Sequence, residues 1–235
     1  MIRHLARIAL LAILAIAPYK VLAKTINIAV IDTGIDAALP KLCVTGHRSF
    51  AASNPNPLQD ENGHGTHIAG IIISEAGDGD YCIVSIKYYD DYVGSNNLTN
   101  LVKSIQYAVD LKVDFINISS GGVDPNTAES KAIVRALNNG ITVVVAAGND
   151  GDDLDKNCNY FPACYDTRIV MVGNLLNTCP PTPAPSSNHG KRVTRWEVGT
   201  NVLSALPSGK VGIKSGTSQA TAVACGKLVK ERLTH

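Results

Sequence analysis

The sequence predicts an α/β fold, a doubly wound and mostly parallel sheet with helices on both of its faces. Short runs of β-branched residues alternate along the chain with longer segments in which apolar residues recur at helical spacing. This alternation is typical of parallel sheets, because the helices that connect successive strands cover both faces. Residues 24–235 are enough for a single domain with a large core, and no stretch has the composition of an interdomain linker.

Residues 1–23 have the layout of a secretory signal peptide, so we set them apart from the fold. Basic side chains precede an apolar run from Ile8 to Ala17, and the segment ends on the small residue Ala23. The apolar run is shorter than a bilayer requires. We therefore expect a secreted or periplasmic protein that is soluble and has no contact with a membrane once it is mature.

The periodicity also gives the order of the elements. The predicted strands are short runs rich in Val and Ile, and the predicted helices carry apolar residues three and four positions apart. A hairpin is predicted from Leu203 to Ile213, because a Pro-Ser-Gly turn separates its two halves. The other strands are Thr25–Ile31, Ile83–Tyr88, Asp114–Ile118, Ile141–Ala146 and Arg168–Gly173, and the helices are Gly65–Ser74, Leu98–Leu111, Ala128–Leu137 and a last one that begins near Thr217.

Three polar residues flanked by glycines stand at the ends of predicted elements: Asp32 after the first strand, His64 at the start of a helix, and Ser218 in the first turn of the last helix. A weak alcohol nucleophile needs a base within hydrogen-bond reach, and the base needs a carboxylate that fixes its tautomer. The chain order Asp, His, Ser is one of the known orders of such a triad. Taken singly, Ser218 is explained as a helix N-cap, Asp32 as a turn residue, and His64 with His67 as metal ligands that lack a third ligand of matching spacing.

The three segments resemble the signatures of the subtilisin-like serine proteases, the subtilase family. The resemblance extends over essentially the whole chain after residue 23, and it implies a subtilisin-like fold for residues 24–235 and the activity of a serine endopeptidase. The matching stretches are Ala29–Ile35, His64–Gly70 and Gly216–Ala220, with further similarity in Asn117–Gly122, Val145–Asn149 and Phe161–Ala163.

The resemblance also implies a role for each candidate residue. Asp32 orients His64, His64 acts first as general base and then as general acid, and Ser218 attacks the peptide carbonyl to form an acyl-enzyme. Asn149 donates its side-chain amide to the oxyanion, together with the backbone N–H of Ser218. His67 is expected to pack within its helix. The implied substrate-binding residues are Ser119, Ser120 and Gly121, which pair with an extended peptide, and Ala146, Ala147 and Gly148, which form a wall of the specificity pocket.

The chain departs from the family pattern in two places. Gln219 and Ala222 stand where the family has Met and Pro, and both positions shape the nucleophile helix and its pocket. The first strand begins shortly after Ala23, which leaves no room for an N-terminal propeptide. Either the chain folds unaided, or a separate folding or inhibitory partner assists it, or it is a catalytically silent subtilase-like domain that binds peptide or protein. The complete triad and Asn149 argue against the silent domain.

Charge and motifs exclude other classes of partner. The formal net charge is +1 for the whole chain and −2 without residues 1–23, which carry three basic side chains and no acidic one. Such a balance argues against nucleic acid as the main partner. A nucleotide-binding α/β protein is excluded because no glycine-rich phosphate loop follows the first strand. A peptide or protein substrate is the expected partner.

Six cysteines follow residue 23, and an even number behind a secretory signal indicates a set of disulfides. Cys158 and Cys164 are the first expected pair, because a turn at Pro162 can bring them together. A bound metal is not expected, since neither a CxxC motif nor clustered histidines are present. The chemistry needs no cofactor. A structural calcium ion could bind the acidic loop that contains Asp150, Asp152, Asp153 and Asp155, although a solvated loop explains these residues equally well.

Overall fold

The computed structural model describes residues 24–89 and 96–235, so the secretory signal predicted for residues 1–23 lies outside the described residues. Strands and helices alternate through most of the described part of the chain. The strands are β1 (Ile26–Asp32), β2 (Arg48–Ser49), β3 (Tyr81–Lys87), β4 (Phe115–Ile118), β5 (Thr142–Ala146), β6 (Val170–Leu175), β7 (Arg195–Val198), β8 (Val202–Leu206) and β9 (Lys210–Lys214), and the helices are α1 (His64–Ala76), α2 (Asn97–Asp110), α3 (Thr127–Asn138) and α4 (Thr217–Leu233).

A seven-stranded sheet with the order β2-β3-β1-β4-β5-β6-β7 runs through the molecule. Every neighbouring pair in it is parallel. The chain moves outward from β1 in one direction to β3 and in the other to β4, so the strand order reverses between β1 and β4. In sheets of this kind, ligands bind at the carboxyl ends of the strands next to such a reversal. The predicted parallel sheet is confirmed.

Helices cover both faces of this sheet, as the sequence predicts. Along β1, the side chains of Ala29 and Ile31 enter the core formed with α2 and α3, whereas Ile28 and Val30 enter the core formed with α1 and α4. This alternation follows from the period of two residues in a strand. Because α1 and α4 pack on the same face and both follow loops at the carboxyl edge of the sheet, the first turns of the two helices open toward that edge.

Two strands of the sheet are not predicted by the sequence patterns. Strand β2 has only two residues, and β7 is an edge strand whose buried Glu197 pairs with Arg195 and with Lys227 of α4. Neither strand carries the run of apolar residues that marks a buried strand. The antiparallel hairpin of β8 and β9 is confirmed.

The cysteines bear out the disulfide prediction only in part. Cys158 pairs with Cys164 as expected, and Cys43 pairs with Cys82. The expectation that all six cysteines form disulfides is wrong for the other two. Cys225 is fully buried in α4 and Cys179 is exposed in a surface loop, so neither has a partner in the described part of the chain. Burial raises the pKa of the Cys225 thiol to about 12, which keeps it protonated and unreactive.

Candidate active site

Asp32 and His64 form a directly hydrogen-bonded pair at the carboxyl end of β1. His64, the first residue of α1, donates its Nδ1–H to Asp32 Oδ1 at 2.8 Å, since a carboxylate can only accept. The side chain of Asp32 is 3% exposed and that of His64 is 25% exposed. The charge of Asp32 raises the pKa of His64 above its usual value, and burial opposes this rise. Because Nδ1 carries the hydrogen that is donated to Asp32, the lone pair lies on Nε2 whenever the imidazole is neutral.

A second buried carboxylate, Asp60, fixes the start of α1. It accepts hydrogen bonds from the Gly63 and Thr66 backbone amides at 2.8 and 2.9 Å and from the Thr66 hydroxyl at 2.6 Å. The Thr33 hydroxyl donates to Asp60 at 2.8 Å and accepts from the Gly65 amide at 2.9 Å. Asp60 thus satisfies amides that a helix start leaves without partners, and it links this start to the residue after Asp32.

The sequence candidates do not include Asp60. An acidic residue shortly before a helix is a recognisable signal for a cap. However, Asp60 stands four positions before His64, and its link to Thr33 depends on how the loop folds back onto β1. A sequence pattern does not carry that information.

Gly65 allows α1 to approach the end of β1 closely. A Cβ atom built on it would overlap the carbonyl oxygen of Gly34 and lie 3.2 Å from the Cβ of Asp32. Any larger residue would push the first turn of α1 away from Asp32. The glycine beside His64 is therefore required by packing and is not only a sign of a flexible loop.

Ser218 lies in the first turn of α4 and is half-buried. Its hydroxyl donates to the backbone carbonyl of Ser119 at 2.7 Å, and the Ser119 hydroxyl donates back to the Ser218 carbonyl at 3.1 Å. Within the described residues Ser218 makes no hydrogen bond to His64. The register of β1 and β4, in which Val30 pairs with Asn117, places Ser119 beside Asp32. The structure therefore brings the three residues to one edge of the sheet, with a direct hydrogen bond only between Asp32 and His64.

Asn149 follows β5 and contacts the start of α4. Its Oδ1 accepts from the Thr217 amide at 2.9 Å and from the Thr217 hydroxyl at 3.1 Å. These two donors fix the orientation of the side-chain amide, because Nδ2 could not accept from them. The Nδ2 group donates to no other residue in the described part of the chain, and the side chain is exposed. Its N–H groups are thus available to a ligand beside Ser218.

The six residues predicted to bind substrate lie in two adjacent segments. Strands β4 and β5 are parallel neighbours with Ile118 opposite Val145, so the two segments leave the same edge of the sheet side by side. The Tyr88 hydroxyl donates to Ser120 Oγ at 2.7 Å, and Asn188 Nδ2 donates to the Ala147 carbonyl at 2.8 Å. The first segment is Ser119, Ser120 and Gly121, and the second is Ala146, Ala147 and Gly148.

Two other groups of predicted residues are placed away from the site. His67 is fully buried, as packing requires, but its Nε2 donates to the carbonyl of Gly212 in β9 at 3.1 Å and not to its own helix, and burial lowers its pKa. In the acidic loop, Asp153 pairs with Lys156 at 3.2 Å, and Asp155 accepts from the Lys191 amide at 2.8 Å. Nowhere in residues 24–89 and 96–235 do three His, Cys, Asp or Glu side chains form a group that could hold a metal.

A hydrogen-bonded Asp–His pair and a serine in the first turn of a helix, at one edge of a parallel α/β sheet, form an arrangement that is typical of serine hydrolases. The model of the subtilase family matches residues 23–232. Subtilisin from Bacillus pumilus is 34% identical over 204 residues, which are 83% of this chain and 72% of that protein. Subtilisin E from Bacillus subtilis (strain 168) is 34% identical over 203 residues, and the match spans 52% of its length.

A solved structure agrees with these relatives. The crystal structure of a cold adapted subtilisin-like serine proteinase superposes with a TM-score of 0.72 at 28% identity, covering 88% of this chain and 76% of that one. The chain belongs to the subtilase family, and its relatives place it among serine-type endopeptidases.

Proposed function

We propose that this chain is a secreted serine endopeptidase that hydrolyses peptide bonds through Asp32, His64 and Ser218 and an acyl-enzyme intermediate. The observation that carries the proposal is the 2.8 Å hydrogen bond from His64 Nδ1 to the buried Asp32. It leaves Nε2 as the acceptor of a proton, on the edge of the sheet where Ser218 stands. A partly exposed imidazole that is held by a buried carboxylate in this way is typical of a functional site.

The reaction begins with a rotation of the Ser218 hydroxyl from the Ser119 carbonyl toward Nε2 of His64. As Ser218 Oγ attacks the scissile carbonyl carbon, its proton passes to Nε2, and Asp32 stabilises the imidazolium that forms. His64 then gives this proton to the leaving amine, and the C–N bond breaks to leave an acyl group on Ser218. Water, deprotonated by His64 in the same way, attacks the acyl carbon, and His64 returns the proton to Ser218 Oγ as the ester C–O bond breaks and the acid leaves.

The negative charge of the tetrahedral intermediate is stabilised by two groups at the start of α4. These are the Nδ2 amide of Asn149 and the backbone N–H of Ser218, which lies at the positive end of the helix dipole. Because Thr217 fixes Oδ1 of Asn149, the amide is already oriented before substrate arrives. An extended peptide adds as a strand beside Ser119–Gly121, and Ala146–Gly148 line the space next to it. No cofactor takes part in these steps.

Secretion is supported by the two disulfides, which persist in oxidising compartments, and by the pattern of residues 1–23. Among the helices of the described residues, none has the length and apolar character to cross a membrane. Fractionation of cells that express the full chain would test this part of the proposal. We expect the processed protein outside the cytoplasm, and an unprocessed cytoplasmic form would contradict it.

The triad is tested by labelling the folded chain with a fluorophosphonate and mapping the adduct by peptide mass spectrometry. We expect an adduct on Ser218 in the native sample, none after heat denaturation, and none in the Ser218→Ala variant. The variant Ser130→Ala, on α3, is a matched control that should label normally. A folded chain that does not react would contradict the proposal and favour a silent domain that binds peptide.

A further inference from the structure

The ring of Tyr160 lies between the two segments that flank the reacting residues. A Cβ atom built on Gly121 would lie 2.5 Å from Cε1 and 2.9 Å from Cζ of Tyr160. A Cβ atom built on Gly148 would lie 2.9 Å from both Cδ2 and Cε2 of the same ring. The two edges of the ring therefore touch the two backbones, and the ring fills the space between Ser119–Gly121 and Ala146–Gly148. This contact is possible only because both neighbours are glycines.

The backbone around Tyr160 is fixed on both sides. Phe161 and Gly122 exchange two backbone hydrogen bonds of 2.9 and 2.7 Å, and the Cys164 amide donates to the Tyr160 carbonyl at 2.9 Å. The disulfide between Cys158 and Cys164 closes the loop that carries the tyrosine. The ring is thus held at the cleft by its own loop, and a displacement of the ring requires a rotation of its side chain or a change in that loop.

The position of this space relative to the reacting atoms decides which substrate residue meets the ring. Ser119 holds the Ser218 hydroxyl through its carbonyl, and Gly148 directly precedes Asn149. A carbonyl that lies between Ser218 Oγ and Asn149 Nδ2 has both segments as its nearest neighbours. The side chain on the residue that supplies this carbonyl therefore points to the space that Tyr160 occupies.

We propose that Tyr160 is a specificity-determining residue that restricts the residue on the acyl side of the scissile bond to a small side chain, namely Gly, Ala or Ser. The inference rests on the proposed function, because it requires the carbonyl to lie between Ser218 and Asn149. A ring that touches both walls leaves no room for the side chain of Leu, Phe or Lys. The substrate class is thus peptides with a small residue before the cleaved bond.

The test compares peptide p-nitroanilides that differ only in the residue before the scissile bond, which is Ala, Leu or Phe. We expect the unmodified chain to show a higher kcat/KM for Ala than for Leu or Phe. Tyr160→Gly should raise the ratio of kcat/KM for Phe over Ala by at least about 10-fold, because a single methylene already changes discrimination in an apolar pocket by about 10- to 200-fold. Tyr160→Phe keeps the ring and should keep the preference for Ala.

Two controls separate specificity from stability. Tyr160→Ala is a second truncation, for the case that the glycine variant does not fold. Tyr107→Ala truncates a half-buried tyrosine that packs on Phe50, so it should leave the Phe over Ala ratio unchanged. An unmodified chain that prefers Phe or Leu, or a ratio that neither truncation of Tyr160 shifts, would overturn the proposal while hydrolysis itself stands.

Binding gives a readout that does not depend on hydrolysis. Calorimetry with the Ser218→Ala variant would measure the dissociation constants of two hexapeptides with Ala or Phe at the same position. We expect tighter binding of the Ala peptide, and the added change Tyr160→Gly should remove or reverse this difference. A shift in binding without any turnover in the unmodified chain would retain the pocket assignment and reject the endopeptidase. Equal binding of the two peptides with and without the Tyr160 change would overturn the pocket assignment.

Discussion

The two sides of the site are built differently. The base side, which consists of Asp32, Thr33, Asp60 and His64, relies on buried carboxylates, with Asp32 3% and Asp60 5% exposed. On the nucleophile side, the side chain of Ser218 is half-buried and that of Asn149 is exposed, and both are held mainly by bonds to backbone groups, although the neighbouring Ser119 and Ala146–Gly148 are buried. The two carboxylates that hold the base side are thus closed to water, whereas the side chains of Ser218 and Asn149 remain accessible to a peptide.

On the base side, the substitution Asp32→Asn should cause the largest loss of activity. The side-chain amide cannot replace the carboxylate in stabilising the imidazolium, and it can force the wrong tautomer of His64. We expect kcat to fall about 10⁴-fold, the loss known from the same change in another Asp-His-Ser protease. Steady-state kinetics measure this effect, and Asp110→Asn in an exposed ion pair is the control. A loss of less than tenfold would show that the buried pair does not carry the reaction.

On the nucleophile side, Asn149→Ala removes the exposed Nδ2 group together with the Oδ1 atom that accepts two hydrogen bonds from Thr217. We expect kcat to fall by about 10²- to 10³-fold, a magnitude taken from the corresponding loss in a subtilisin, with little change in KM. The melting temperature should also fall, because the buried amide and hydroxyl of Thr217 lose their acceptor, so kcat is measured well below that temperature. Asn138→Ala, which loses one surface bond to Arg168, is the control. A change confined to KM would contradict the oxyanion role.

Asp60→Ala separates stability from chemistry on the base side. The change leaves the buried amides of Gly63 and Thr66 and the hydroxyls of Thr33 and Thr66 without their acceptor. Each unmet donor costs about 1–3 kcal/mol, so the free energy of unfolding should fall by at least about 3 kcal/mol. Urea denaturation followed by circular dichroism measures it. If the free energy of unfolding falls no more than in the exposed Asp110→Asn variant, Asp60 does not stabilise the start of α1.

The raised pKa of His64 gives opposite pH dependences to activity and to stability. Activity requires neutral His64, so it should increase with pH until the raised pKa is passed, by up to about tenfold per pH unit. The Asp32–His64 pair stabilises the fold fully below the unfolded pKa of 6.5, and this contribution is lost as the pH rises through the folded pKa. Asp32→Asn should shift the acid limb of kcat/KM to lower pH. If the acid limb does not shift in this variant, it reports the titration of a group other than His64.

The sequence allows the scaffold and the triad candidates to be predicted, because both depend on local patterns. Strands such as Thr142–Ala146 are continuous apolar runs, and Asp32, His64 and Ser218 stand at the ends of such elements. Tyr160 could not be predicted, since its ring reaches glycines in two segments that are distant in sequence. Asp60 escapes prediction for the same reason, because its role depends on a fold-back contact with Thr33.

The polar edge strand β7 and the two unpaired cysteines were not predicted from the sequence for other reasons. An edge strand with alternating charged residues lacks the apolar signal of a central strand. Cysteine counting assumes that every thiol can reach a partner, whereas burial in α4 separates Cys225 from Cys179 at the surface.

Detection of an acyl group on Ser218 tests the central claim most directly. The folded chain would be mixed with an activated p-nitrophenyl ester of a small acyl group, quenched in acid within the first turnover, and examined by peptide mass spectrometry. The account predicts a burst of p-nitrophenol and one acyl group on Ser218, both absent in Ser218→Ala. Turnover of the ester without any acyl group on Ser218, or with an equal burst in Ser218→Ala, would contradict the account.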